Sequence, residues 1–260
     1  MDRSLRRIVA FPCEDATLIG TVDEAAGGTG LLIVSGGNEV RCGAHRGMAL
    51  LAHRLAASGV PVFRFDRRGI GDSEGRNGGY ATSTPDIAAA LEAFRREQPH
   101  LTRVIGFGNC DAATALVLFG HALQGLVLAN PWLGDEQAEL PPAALREHYF
   151  RKLRSADTWR NLLHDFGRKV RDLRALFRPV RDQPLNDRFM ESLAARPATV
   201  ILAARDRTAQ VFAASIALPP HVRTIEIATA SHSFADAGEA LEQAIRHAIA
   251  TPASNRGPLR

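Results

Sequence analysis

The run Gly30-Leu31-Leu32-Ile33-Val34-Ser35 constrains the fold more than any other stretch of this chain. It is apolar without alternation, which a strand shows when both of its faces are buried, as in a parallel sheet covered by helices on each side. Helical spacing follows it. Met48, Leu51 and Leu55 lie on one face of Gly43–Ser58, and Gly59 stands as a helix stop. Val60–Phe65 reads as the next strand and Ser83–Glu97 as the next helix, with Thr84 as its N-cap and Pro85 at the first helical position. The rhythm continues through strand Arg103–Phe107, helix Ala112–Leu123 and strand Gln124–Ala129. After an interruption it resumes with strand Ala198–Ala203, helix Thr208–Ile216, strand Val222–Ile227 and helix Gly238–Ile249. Arg7–Phe11 and Thr17–Val22 open the chain as a strand hairpin. Alternating strands and helices predict a mostly parallel sheet with helices on both faces. Ligands are then expected beyond the carboxyl ends of the strands.

The interruption, residues 130–196, contains no convincing strand and is punctuated by Pro141, Pro142, Pro179 and Pro184. Its pattern predicts a helical insertion at 131–196 in a core made of 1–130 and 197–250. The polar segment 251–260, rich in Pro and Gly, reads as a mobile tail. The insertion is also where the charge collects. Between Arg146 and Arg188, twelve Lys/Arg face six Asp/Glu, an excess above the +4 of the whole chain. Such a basic face suits an anionic partner, and the expectation is peripheral contact with a membrane surface or an acidic polymer. Nucleic acid is not expected, because no nucleic-acid-binding motif accompanies the charge.

No apolar run reaches the roughly 18 residues a membrane-spanning helix needs. The basic start Arg3-Ser4-Leu5-Arg6-Arg7 is not followed by an apolar signal segment, so the chain reads as cytoplasmic. Three scattered cysteines, Cys13, Cys42 and Cys110, make neither a disulfide framework nor a zinc spacing. No metal or organic cofactor is implied.

One of those cysteines stands apart. The segment Arg103-Val104-Ile105-Gly106-Phe107-Gly108-Asn109-Cys110-Asp111-Ala112-Ala113-Thr114 is strand, sharp turn and helix. Small residues, Gly108 and Ala112, flank Cys110 where strand and helix must approach closely. At the helix N-terminus, the dipole and the unpaired N–H groups favour a thiolate.

This Gly108-x-Cys110-x-Ala112 turn resembles the nucleophile elbow of the α/β-hydrolases, with cysteine in place of serine. The resemblance implies an α/β-hydrolase fold: a mostly parallel central sheet, helices on both faces and a small helical cap. It also implies the chain order nucleophile, acid, histidine. Asp206 ends the apolar run Ala198–Ala203 plus two residues, and His232 follows the strand Val222–Ile227. These two complete a Cys110–His232–Asp206 triad, in which His232 acts as base and Asp206 fixes its tautomer. Asp236 is the rival acid, but its nearness to His232 suits the start of the last helix better. The family's oxyanion donors map onto Gly37 or Asn38, in Gly36-Gly37-Asn38-Glu39, and onto Asp111. The loop Asp66-Arg67-Arg68-Gly69-Ile70-Gly71-Asp72-Ser73 resembles another family motif, with a structural role.

Taken together with the Asn109-Cys110-Asp111-Ala112-Ala113 elbow, these motifs resemble one branch, the hydrolases associated with exosortase A systems (hydrolase 1 type). That resemblance implies a setting in exopolysaccharide synthesis. The expected activity is hydrolysis of an ester or thioester through an acyl-Cys110 intermediate, on a small-molecule, lipid-linked or polysaccharide-linked acyl substrate. An acyltransferase, or an accessory protein that kept the fold without turnover, is the alternative.

Overall fold

A computed structural model describes residues 5–134 and 184–250. Eight strands form one sheet in the order β1-β2-β4-β3-β5-β6-β7-β8. They are β1 (Arg6–Cys13), β2 (Ala16–Asp23), β3 (Thr29–Val34), β4 (Val62–Phe65), β5 (Arg103–Asn109), β6 (Gly125–Ala129), β7 (Ala198–Ala203) and β8 (Arg223–Ile227). The hairpin β1–β2 joins β4 antiparallel, and every other pairing is parallel.

The described helices are α1 (Gly47–Ala57), α2 (Thr84–Glu97), α3 (Asp111–Phe119), α4 (Pro184–Ala194), α5 (Arg207–Ser215) and α6 (Gly238–Ala250). They divide the core into two layers. Under α2, α3, α4 and α5 lie Leu32, Phe63, Phe94, Leu116, Val200 and Phe212. Under α1 and α6 lie Ile33, Ile105, Phe107, Ile201 and Ile245. Central strands bury both faces, which explains their unbroken apolar sequences: β4, β6 and β7 are buried at every position. Strand β8 is an edge and alternates exposed and less exposed residues.

The α/β-hydrolase architecture expected from the sequence is thus the one observed. Two local readings differ. The N-cap of α2 is Ser83 rather than Thr84, and its hydroxyl makes no capping bond. It donates instead to the Gly79 carbonyl at 3.1 Å and accepts from the Arg67 guanidinium at 3.2 Å. Helix α3 ends at Phe119, four residues before the expected Leu123, because Gly120 leaves the helical path. Most of the expected cap, residues 135–183, and the tail 251–260 lie outside the described residues, and so does most of the basic segment. Among the described residues, no helix is long and apolar enough to cross a membrane.

Candidate active site

Strands β5, β7 and β8 deliver their carboxyl ends to one rim of the sheet. Cys110 sits directly after β5, with φ 60 and ψ −128, a left-handed conformation that a residue with a side chain rarely adopts. Packing holds the turn there. A Cβ on Gly108 would lie 2.8 Å from the Ala112 carbonyl carbon, so a larger residue would push α3 off β5. The Cys110 N–H donates to the Ala129 carbonyl at 3.0 Å, and its own carbonyl accepts from Ala113 at 3.1 Å. The strained turn is therefore fixed by its neighbours.

His232 lies in the loop after β8. Its Nδ1 is 3.0 Å from Asp206 Oδ2, and the nearby Cys110 thiol acts on the ring's basicity. Asp206 is buried and caps α5, accepting from the Ala209 N–H at 3.0 Å. Burial alone would push its carboxyl up, but the bonds from His232 and Ala209 hold it below the usual carboxylate value. The same contact, together with the Cys110 sulfur, raises His232 from 6.5 to about 10 against the opposing effect of burial. The imidazole thus keeps its proton across neutral pH. Asp236, the rival acid, accepts from the Thr229 hydroxyl at 2.5 Å and braces the loop that carries His232.

Two asparagines unassigned by sequence hold that loop. Asn109 and Asn130 both donate to the His232 carbonyl, at 3.1 and 3.0 Å. Asn130 is fully buried, has φ 40, and also accepts from the Ala203 N–H at 2.8 Å. It ties the ends of β6, β7 and the histidine loop together. A buried amide closing an apolar strand was its sequence signal.

The oxyanion loop holds a surprise. The Gly37 N–H donates to Asp111 Oδ1 at 2.6 Å, so one expected donor is occupied by the side chain of the residue supplying the other. Gly36 makes room for this, since a Cβ there would meet Asp111 Oδ1 at 2.9 Å. Arg67, buried beneath, donates to the Gly37 carbonyl at 2.5 Å and lies 3.4 Å from Asp111 Oδ2. The Asp66–Ser73 loop therefore reaches the site through Arg67, beyond the structural role expected of it. The Asn38 side-chain oxygen accepts from Asn77 at 2.8 Å.

A cavity of about 420 Å³ opens beside Cys110 and Asp111 and is lined by Tyr80, Trp132, Leu133, Val211 and Phe212. Tyr80 and Trp132 meet edge to face at 5.6 Å. Such a wall accepts an apolar group. Of the other cysteines, Cys13 is buried against Asp86, and burial pushes its thiol up to about 11. Among the described residues, no group of three or more His, Cys, Asp or Glu could hold a metal ion.

A family model described as "Alpha/beta hydrolase family" matches residues 31–244. A comparison with curated proteins returns no match. Among solved structures, the chain is similar to the Pyrococcus furiosus esterase Pf2001, with a TM-score of 0.62 at 14% identity, covering 96% of this chain and 93% of that one. It is similar to a hydrolase from Pseudomonas aeruginosa, with a TM-score of 0.57 at 22% identity over 94% and 98% of the two chains. A serine hydrolase without a lid from Xanthomonas campestris gives 0.60 at 16% identity over 94% of each. At these identities the structural likeness speaks for the fold.

Proposed function

The chain belongs to the α/β hydrolase family, and from that premise we propose that it is an acyl hydrolase acting through an acyl-Cys110 intermediate. The observation that carries the reading is His232, whose Nδ1 lies 3.0 Å from Asp206 and whose ring is raised in basicity by Asp206 and by the nearby Cys110. The Cys110 sulfur, its proton held by His232, attacks the carbonyl carbon of an ester or thioester, and the carbonyl electron pair moves to oxygen. Collapse of that intermediate breaks the bond to the leaving alkoxide or thiolate, which takes the proton from His232. Water then attacks the acyl-cysteine, giving its proton to His232. Collapse releases the acid and restores Cys110. Asp206 holds the imidazole in one tautomer throughout.

The oxyanion needs donors. The Asp111 N–H opens α3, and the second N–H is that of Gly37 or Asn38. Because Gly37 is bonded to the Asp111 carboxylate, that donor becomes free only when the side chain turns away. The apolar wall of the cavity suits the acyl chain. The elbow's resemblance to the exosortase A-associated hydrolases implies a setting in exopolysaccharide synthesis and does not by itself name the acyl group.

The same occupied donor favours a second reading, an accessory protein without turnover. Mass spectrometry after brief exposure to a p-nitrophenyl ester separates the two. An acyl mass on the Cys110 peptide supports the enzyme, and its absence, with p-nitrophenol unreleased, supports the accessory role.

A further inference from the structure

The opposite end of the sheet carries a second cluster. A cleft of about 90 Å³ opens where β5, β6, β7 and β8 begin, and Arg103, His221 and Arg223 line it. Arg103 and Arg223 are the first residues of β5 and β8. Parallel pairing sets Thr199 beside Arg223 and Gly125 beside Ile105. Gly125 leaves a gap in the row. Arg103 leans across it, its Nη2 3.6 Å from where a Cβ on Gly125 would be. The floor is therefore built to admit a guanidinium at that point.

Three features make the cluster unusual. No Asp or Glu lines the cleft among the described residues. No ion pair or side-chain hydrogen bond joins Arg103, His221 or Arg223 to a partner among them. Finally, Arg223 Nη1 is buried with no hydrogen-bond partner. A buried donor left unmade carries its full desolvation penalty, and the penalty is larger when the group is charged. Two guanidiniums sharing one small cleft also repel each other. Elsewhere among the described residues, the buried arginines are paired. Arg64 sits on Asp23, and Arg67 lies between Asp111, Ser83 and the Gly37 carbonyl. The unpaired set at the foot of β5 and β8 is an exception to that pattern.

We propose that this cleft is a binding site for a phosphate-type oxyanion, distinct from the Cys110 site at the other end of the strands. A tetrahedral oxyanion would lie between Arg103 and Arg223, accept from the orphaned Nη1, and relieve the repulsion. Guanidiniums are the side chains best matched to that geometry, because they offer paired N–H groups in one plane. The cleft is too small for a nucleotide but admits one phosphate group, either as the free ion or as the end of a phosphate monoester. The C-terminal turn of α6 reaches the cleft through Ala248, and a helix end supplies only a partial negative charge, short of a full counter-charge for the arginines.

Thermal unfolding of the full chain, at ionic strength held constant with sodium chloride, tests the site. Inorganic phosphate should raise the melting temperature by a few degrees and saturate, as binding to the native state alone requires. Glycerol phosphate is the second arm: a matching rise assigns the site to a terminal phosphate group, and a rise with inorganic phosphate alone assigns it to the free ion. Arg223→Gln and Arg103→Gln should each abolish the saturable rise while still unfolding cooperatively. If one variant does not fold, the other decides. A non-saturating response to both ligands, or an equal response in the folded variants, overturns the proposal. The outcome is independent of whether Cys110 is a nucleophile.

Discussion

The carboxylate of Asp111 accepts the N–H of Gly37 at 2.6 Å, so the residue after the candidate nucleophile fills the place where an oxyanion would bind. A negative group there opposes the charge that develops on a reacting carbonyl oxygen, and Arg67 helps to hold it in place from below. Removing that carboxylate should therefore speed reactions that pass through an oxyanion and no others. In Asp111→Ala, acylation of Cys110 by a p-nitrophenyl ester is expected to rise at least about tenfold relative to its alkylation by iodoacetamide, a loss of roughly 1.4 kcal/mol of opposition. Alkylation has no oxyanion and reports the thiol alone. An unchanged ratio would show that the hole is not limiting.

Thiol chemistry should single out one cysteine. Cys110 sits at a helix N-terminus beside His232, whereas Cys13 is buried with its thiol pushed up to about 11. At pH 7, limited iodoacetamide should label Cys110 ahead of Cys13, read by peptide mass spectrometry. Cys110→Ala should remove ester hydrolysis, and Cys13→Ala and Cys42→Ala should leave it nearly intact. Hydrolysis surviving in Cys110→Ala would refute the mechanism.

The imidazole of His232 should titrate far above its ordinary range. Its folded value, about 10 against 6.5, means that the protonated ring is stabilised by folding, first through Asp206 and then through Cys110. That stabilisation is fully present below about pH 6.5 and is lost as pH rises through about 10. The melting temperature of wild type minus that of His232→Gln should therefore shrink over this alkaline interval. NMR titration of the ring gives the direct reading. In Asp206→Asn the midpoint should fall toward 6.5, and a midpoint unmoved by that change would detach Asp206 from the role assigned to it.

Asn130 should matter for both stability and function without touching substrate. It is buried, donates to the His232 carbonyl and accepts from Ala203. Asn130→Ala leaves the Ala203 N–H without a partner, which costs about 1–3 kcal/mol, measured as the shift in urea midpoint. The variant should also lose ester turnover more than it loses Cys110 alkylation, because the histidine loop is released while the elbow is kept. Equal loss of both would make its role general stability alone.

The elbow at the rim was legible in the chain because it is local. Elbow residues Gly108, Cys110 and Ala112 are adjacent in sequence, and their small–nucleophile–small order follows from the close approach of one strand to the helix it feeds. Unbroken apolar runs such as Gly30–Val34 likewise declare strands buried on both faces, and chain order places Asp206 after β7 and His232 after the edge strand β8. What the tertiary structure alone decided are the contacts between segments far apart in the chain. Gly37 and Asp111 are 74 positions apart, and Asn130 and His232 are 102 apart. Nothing in the residues around Asp111 says whether its carboxylate faces solvent or the Gly37 N–H. That choice is made when β3 pairs with β5, Val34 lying opposite Gly108, and the loop after one is laid against the turn after the other. Side-chain direction and hydrogen-bond partner are properties of the packed sheet, and no pattern within either strand encodes them.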